Sequence, residues 1–352
     1  MKKYCSFPFM RFTIEWDGNV SFCCPAYNNN YFIGNIFKDS FEDMWYGEKA
    51  TEFRKSILDG SYKYCNLDIC GEWHEFCRFN KEDYPKDENF LHPPFPQTVN
   101  LSYVRSCNVR CKTCRDVLDV ETKEQTKCFD EVADKIVHIC KNADLIYLNG
   151  GGELFTSNHL KHVVNKLTDT YPLLEFQVHS NGLLFDEKHI KDFGLENKIH
   201  RIEISVHAAT KKTYEKIVRG GHWEQIIKNL KYLSKISKEQ DIDFTLIFVA
   251  HSLNYKEMPK FVKLGNKLGA RVAFWKYRNW PNTKMGEEYE RYTCWDPTHP
   301  EYKKFIKVLR RLKTMHGYRM DEGYLRELQN SLDYLWWQKI LNFFKRKNKK
   351  EV

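Results

Sequence analysis

The 352-residue chain has no run of about 18 apolar residues, the length an unbroken bilayer-crossing helix needs, so no transmembrane helix is expected. Its amino terminus, MKKYCSFPFMRF, carries two lysines but neither a long apolar core nor a small-residue cleavage site. A secretory leader is therefore not read there. A strong excess of one charge is also missing. The net charge of +9 is modest for the length; it permits nucleic-acid binding without requiring it, and no nucleic-acid partner is expected. Disorder is excluded by composition, with 42% hydrophobic and 29% charged residues. What is abundant is cysteine. Twelve cysteines without an export signal point to a reducing cytoplasm, where thiols serve metals more often than disulfides. The length suits one large α/β domain with a smaller companion.

The stretch that organises the reading is CNVRCKTC at 107–114. Cys107, Cys111 and Cys114 stand at C-x3-C-x2-C, directly after the extended run TVNLSYVRS at 98–106. Closely spaced thiolates suit iron–sulfur clusters or zinc. Three rather than four leave one iron of a cubane open to a substrate or cofactor. A structural zinc site closes with four ligands, and His74, His92 or Cys128 could supply the fourth.

Residues 1–80 hold six more cysteines: Cys5, Cys23, Cys24, Cys65, Cys70 and Cys77. The segment FMRFTIEWDGNVSFCC reads as a hairpin turning at Asp17-Gly18, which brings Cys5 and Cys23 near each other. A helix follows, capped by Ser40, with Phe41, Met44, Trp45 and Phe53 as its apolar stripe. The clustering of cysteines about these elements reads as a second metal site. Residues 81–97, KEDYPKDENFLHPPFPQ, are charged and proline-rich and read as a linker.

From 98 to about 275 strand and helix patterns alternate. Strands are expected at 98–103, 145–148, 175–179, 201–206, 243–249 and 271–275. Among the helical stretches between them, Phe129, Val132, Ala133, Ile136 and Val137 share one face. This alternation predicts a parallel sheet with right-handed crossovers. Six strands make either an open, partial (β/α)6 TIM-like barrel or a doubly wound sheet, and both place chemistry at the strands' carboxyl ends. The unusual motifs fall there: the cysteine triplet, Asn149-Gly150-Gly151-Gly152-Glu153, His179-Ser180-Asn181-Gly182, Ser205-Val206-His207 with Arg219 further on, then Asn254 and Glu257.

With these residues in place, the chain resembles the radical S-adenosylmethionine (SAM) superfamily: the C-x3-C-x2-C signature is followed by glycine-glycine-glutamate at the next strand. The resemblance implies that Cys107, Cys111 and Cys114 hold a [4Fe–4S] cluster whose open iron is chelated by SAM. It further implies that Gly151, Gly152 and Glu153 bind the SAM amino group, with Ser180, Asn181, Ser205 and Arg219 near its ribose and carboxylate. Leu154 stands where proline is common, and His207 where many relatives have aspartate. The N-terminal module resembles the SPASM/twitch auxiliary-cluster type through C-x12-G-x4-C at Cys5, Gly18 and Cys23. It departs from that type by preceding the barrel and by its looser C-x4-C-x6-C spacing. Cys5, Cys23, Cys65 and Cys70 are the preferred ligands of at least one auxiliary [4Fe–4S] cluster, with Cys24 and Cys77 in reserve.

The implied activity is that of a radical SAM oxidoreductase or modifying enzyme. SAM is cleaved reductively to a 5′-deoxyadenosyl radical, which takes a hydrogen atom from a peptide, sugar or other metabolite. The auxiliary cluster would assist oxidation or anchor the substrate, and a flavodoxin or ferredoxin would supply electrons. The competing class is a non-catalytic iron–sulfur redox or binding protein on the same scaffold. Cys294 and His207 are speculative extras, and Cys128 and Cys140 are assigned to the core. The organisation expected is an auxiliary domain at 1–80, the linker at 81–97, the barrel at 98–290 and a helical extension at 291–352. In that extension Tyr302, Phe305, Leu309 and Leu312 form an apolar stripe. At the end, Leu332, Trp336, Ile340 and Phe343 recur at near-helical spacing before Lys345, Arg346, Lys347, Lys349 and Lys350. Packing on the barrel is the favoured reading of that helix; weak contact with an anionic membrane surface is the other.

Overall fold

The computed structural model describes residues 3–70, 78–80, 91–149, 151–278 and 289–320. Cys77, His74, Gly150, part of the linker and the basic C-terminal segment lie outside them. The chain forms two compact units, 1–110 with 117–204 and 224–244, and 111–116 with 205–223 and 245–352.

The first unit opens with β1 (Lys3–Cys5), the one-turn α1 (Phe7–Met10), β2 (Arg11–Ile14), β3 (Asn19–Ser21) and β4 (Gly34–Asn35). The hairpin forms as expected: Thr13 pairs with Ser21 and Ile14 with Val20, and Gly18 takes φ +80° at the turn, a value that favours glycine. The Ser40 hydroxyl accepts from the Asp43 N–H at 3.0 Å and caps α2 (Phe41–Trp45). The single helix expected here is broken. Gly47 is the N-cap of a separate α3 (Glu48–Leu58), and a Cβ on Gly47 would lie 2.0 Å from the Asp43 carbonyl oxygen. α4 (Leu67–Cys70) follows, and β5 (Arg78–Asn80) pairs antiparallel with β1.

β6 (Thr98–Leu101), β7 (Arg110–Cys111), α5 (Lys123–Asp130), α6 (Ala133–Ile139), β8 (Leu145–Leu148), α7 (Asn158–Thr170), β9 (Glu175–Ser180), α8 (Glu187–Asp192) and β10 (Ile199–Ser205) continue the chain. The stretch containing Phe129 and Ile136 is again two helices rather than one. The sheet order in this unit is β4-β3-β2-β6-β8-β9-β10. β2, from the cysteine-rich module, pairs in parallel with β6, Thr13 opposite Asn100 and Ile14 opposite Leu101. The hairpin reading did not anticipate that pairing.

In the second unit come α9 (Lys211–Ile217), β11 (Val218–Arg219), α10 (Trp223–Glu239), whose body lies in the first unit, β12 (Asp243–Ala250), α11 (Met258–Leu268), β13 (Arg271–Lys276), α12 (Tyr302–Leu312) and β14 (Tyr318–Met320). β12, β13 and β14 are parallel. The region beyond 276 is therefore not purely helical: β14 adds a parallel strand, with Val272 opposite Tyr318. Phe305, Leu309 and Leu312 of α12 are fully buried, and Phe305 meets Tyr255 edge-on at 5.7 Å.

The sheet of the first unit has two unlike faces. Phe12, Val99, Ile146, Phe176, Val178 and Ile202 point to one and are inaccessible. On the other, Thr13, Asn100, Tyr147, Gln177 and Arg201 stand side by side across five parallel strands. A doubly wound sheet covered by helices on both faces would be apolar on both. One apolar and one polar face fit a partial barrel with a polar interior. The fold is mostly parallel α/β, as expected. Among the described residues no helix is long and apolar enough to cross a membrane.

A chain of hydrogen bonds centred on the buried His159 ties the segment after β6 to α5 and α7. The Tyr103 hydroxyl lies 2.6 Å from His159 Nε2, and His159 Nδ1 lies 2.7 Å from Asp130 Oδ1. Asp130 accepts the Nδ1 proton, so Nε2 accepts from the phenol and the ring is neutral. Burial lowers the His159 pKa below its ordinary 6.5. Its contribution to stability is full above that value and is lost as pH falls through the lowered one. Tyr103→Phe leaves a buried acceptor without a donor, which is expected to cost about 1–3 kcal/mol in urea unfolding at neutral pH. An unchanged midpoint would show that the chain of bonds adds nothing.

Candidate functional site

The site of the first unit grows from the carboxyl ends of β6, β8 and β9. Gly152 is pinned against the segment after β6: a Cβ there would fall 2.2 Å from the Ser106 carbonyl oxygen. The Glu153 N–H donates to that same carbonyl at 2.7 Å. The Glu153 side chain is 1% exposed, and both its oxygens are engaged. Oε1 accepts from the Ser180 hydroxyl and Oε2 from the Asn181 N–H, each at 2.7 Å. Burial raises the Glu153 pKa, while the Asn181 and Ser180 donors oppose that shift. Ser180 Oγ in turn accepts from the Gly182 N–H at 2.9 Å, with Gly182 at φ +79°.

Asn181 connects this carboxylate to the cysteine loop. Its Nδ2 donates to Asn108 Oδ1 at 2.8 Å and lies 3.9 Å from Cys107 Sγ. The Cys107 N–H donates to the Asp119 carbonyl at 2.8 Å. The glycine-glutamate loop, the Ser180-Asn181 turn and the first cysteine are thus one hydrogen-bonded assembly.

Glu15 and Trp16, which the sequence reading passed over, stand at the same strand ends. A Cβ on Gly151 would lie 3.8 Å from Trp16 Cβ and 3.4 Å from Arg105 Cγ. The Arg105 guanidinium sits over the Trp16 ring at 5.1 Å and faces Asp119 at 3.5 Å. Burial raises the Glu15 pKa to about 7, which Arg11 opposes and Asp17 reinforces. A hint was present in the sequence: a carboxylate directly beside the hairpin turn. What was illegible was that β2 would join β6.

In the second unit, the Cys114 N–H donates to the Cys111 carbonyl at 3.0 Å, and the Lys112 N–H to that of Ile217 at 2.8 Å. Arg219, on β11, donates to the Arg115 carbonyl at 3.0 Å and meets Asp116 at 3.2 Å. It therefore braces the loop that carries Cys111 and Cys114. Ser205 ends β10. His207 has φ +60°; its Nδ1 accepts from the Val249 N–H at 3.1 Å, and its carbonyl from Asn254 Nδ2 at 3.0 Å. Glu257 accepts from the Ala209 N–H at 2.6 Å and from the Thr210 and Thr213 hydroxyls at 2.5 Å. Cys294 is wholly buried, and burial pushes its thiol pKa up.

A second group of cysteines lies in the N-terminal segment. Burial raises the Cys23 pKa, and the neighbouring Cys5, Cys70, Cys24 and Cys65 raise it further. Cys65 is pushed up to about 12, by burial and by Cys70. Thiols that raise one another's pKa need a cation to become thiolates together, which is what a metal cluster supplies. Among the described residues, no three His, Cys, Asp or Glu side chains are arranged around a single ion. Cys140 is buried as expected. Cys128 is exposed on α5, against its assignment to the core, because that helix buries none of its residues.

Comparison with known proteins bears directly on these two cysteine groups. Residues 5–71 match the SPASM model, an iron–sulfur cluster-binding domain, and residues 101–265 match the radical SAM superfamily model. The chain carries a radical SAM domain preceded by an SPASM domain.

Among curated relatives of this radical SAM protein is the GTP 3′,8-cyclase of Lactiplantibacillus plantarum, 23% identical over 188 residues, 48% of this chain and 55% of that protein. The chain spans about half the length of the curated relatives it matches. Among solved structures, Streptococcus suis SuiB bound to S-adenosylmethionine is 14% identical, with a TM-score of 0.40, over 89% of this chain and 68% of that one. Coproporphyrinogen III oxidase (HemN) from Escherichia coli is 15% identical, with a TM-score of 0.42, over 62% and 52%. The cofactors of a radical SAM enzyme with a SPASM module are a [4Fe–4S] cluster, SAM and auxiliary iron–sulfur clusters. The donor chemistry suits them: three cysteines within eight residues, the first of them reached by Asn181, and a separate group of mutually interacting thiols.

Proposed function

We propose that this enzyme cleaves SAM reductively at the Cys107–Cys111–Cys114 loop and abstracts a hydrogen atom from a polar substrate, a peptide, sugar or other metabolite. The observation that carries the residue assignments is the continuous network from Glu153 through Ser180 and Asn181 to Cys107. Bound there, the cluster and SAM would supply one-electron cleavage chemistry and a hydrogen-abstracting 5′-deoxyadenosyl radical.

The chain's own residues have separable tasks. Cys107, Cys111 and Cys114 hold the cluster. Gly152 lets the loop pack against the segment after β6, since any side chain there would strike the Ser106 carbonyl, and the backbone of Gly151 and Gly152 receives the SAM amino group. Glu153 orients Ser180 and Asn181, and Asn181 in turn directs an N–H toward the Cys107 sulfur. Ser205 and Arg219 complete the SAM site, Arg219 by bracing residues 115–116.

Cys5, Cys23, Cys65 and Cys70 hold the auxiliary cluster, with Cys24 and Cys77 in reserve. Bound there, that cluster would supply a one-electron acceptor or an anchor for the substrate. The polar sheet face bearing Asn100, Gln177 and Glu203 favours a substrate rich in hydrogen-bonding groups. The segments 1–80, 81–97, 98–290 and 291–352 are the proposed division of the chain, with a flavodoxin or ferredoxin as donor in the cytoplasm. Anaerobic reduction of the reconstituted protein with SAM is expected to release 5′-deoxyadenosine and methionine together. Absence of both, at full iron loading, would count against the enzyme and leave a redox or binding protein.

A further inference from the structure

We propose that the carboxyl-end layer of the polar sheet face, with Glu15 of the N-terminal module at its head, is the subsite for a cationic amino or guanidinium group of the substrate. This inference rests on the function proposed above and narrows its substrate class. It leaves the SAM amino group at the Gly151–Gly152 backbone.

Ile14, Leu101, Leu148, Val178 and Ile202 stand opposite one another across five parallel strands. Side chains alternate between the two faces of a strand, so His179 and Glu203, the next residues of β9 and β10, turn to the polar face. Glu15 does the same at the end of β2, where its N–H donates to the Asn19 carbonyl at 2.8 Å and keeps the strand extended. This layer therefore holds two carboxylates. Its imidazole is neutral, because burial lowers the His179 pKa against the pull of Glu203 at 3.8 Å.

The layer beneath is short of donors. Thr13 and Asn100 stand directly opposite each other and are 0% and 7% exposed. Thr13 Oγ1 and Asn100 Oδ1 nevertheless have no hydrogen-bond partner. The half-buried Glu15 carboxylate accepts from no donor among the described residues either. Buried polar atoms are normally satisfied, so this row of oxygens calls for a ligand that brings N–H groups. Charge decides which kind. An anionic group would meet like charge, and a neutral amide would leave the carboxylates uncompensated. An ammonium or guanidinium group brings several donors, no acceptor and the opposite charge.

The charged groups about Glu15 are Arg11 on its own strand, Asp17 at the turn, Arg105 with Asp119 after β6, and His179 with Glu203 across the face. Arg11 is held between the rings of Phe7 and Tyr147, at 4.8 and 4.7 Å, and forms no ion pair with Glu15. Burial holds the Glu15 pKa at about 7. A cation arriving near neutral pH ionises the carboxyl and displaces its proton, and binding weakens as pH falls through that value.

The test is calorimetry on the iron-loaded, SAM-bound protein without reductant, with n-butylammonium as probe and n-butanol and butyrate as neutral and anionic controls of the same length. Butylammonium is expected to bind at least tenfold more tightly than either control at pH 8, and to release more protons at pH 6.5 than at pH 8.5. Glu15→Gln keeps the shape and is expected to lose that preference, while iron content, thermal midpoint and SAM affinity stay at wild-type values. Thr13→Val replaces an unpartnered hydroxyl by a methyl group. It is expected to weaken butylammonium at least threefold while the thermal midpoint holds or rises, a pairing that a merely structural hydroxyl would not give. Equal affinities for the three probes, or an undiminished preference in Glu15→Gln, would overturn the subsite and leave the proposed function standing. Loss of SAM affinity in Glu15→Gln would overturn it too, since the carboxylate would then serve the cofactor. A fully loaded wild-type protein that binds no SAM would overturn the proposed function and the subsite with it.

Discussion

Alanine at Cys107, Cys111 and Cys114 together is expected to remove about half the iron of the anaerobically reconstituted protein and all of its 5′-deoxyadenosine release. Two four-iron clusters correspond to roughly eight irons per chain, and the triplet accounts for one of them. The remaining half should stay with the thiols around Cys23, because Cys5, Cys24, Cys65 and Cys70 all lie close enough to alter its ionisation. Alanine at Cys5, Cys23, Cys65 and Cys70 is expected to give the complementary half. Iron and sulfide analysis with electron paramagnetic resonance reads both losses. A triple variant that keeps all its iron, or native protein loaded mainly with zinc, would overturn the division of the cysteines into two clusters.

Loss of the Glu153 carboxylate is expected to damage the site by a different route. Glu153→Ala strips the acceptor from the buried Ser180 hydroxyl and the Asn181 N–H, at about 1–3 kcal/mol for each buried group left unpaired. The Asn181 side chain, which reaches Asn108 and Cys107, loses its anchor. SAM affinity should therefore fall together with stability to urea, while iron stays bound. A Glu153→Ala protein of unchanged stability that nevertheless fails to bind SAM would instead assign the carboxylate to direct contact with the ligand. Glu153→Gln separates the cases further: its amide oxygen can keep one of the two hydrogen bonds, so stability should recover in part.

Much of the site was legible because its signals are local. Three thiols within eight residues, a glycine-glycine-glutamate after a strand and a short polar turn after the next strand each declare themselves over a few positions. The six strands of the βα repeat lie where hydrophobic periodicity puts them, since a buried parallel strand is a short apolar run with little room for another reading. Helix boundaries were less legible. Both helices read as continuous proved to be pairs, at Gly47 and between Asp130 and Ala133, because an apolar stripe persists across a break that alters only backbone direction.

The sequence by itself determined where the thiols cluster, that there are two groups of them, and that one belongs to a repeating α/β scaffold. Only the tertiary structure decided who touches whom. The parallel pairing of β2 with β6 depends on backbone hydrogen bonds between residues about 87 positions apart, and nothing in the local pattern of either strand selects that partner. The pairing moves Glu15 and Trp16 from a turn in a cysteine-rich module to the edge of the glycine-glutamate loop. The surroundings of Glu153 were decided in the same way. Its residue type announces a carboxylate, but only packing sets both of its oxygens against the next strand's turn.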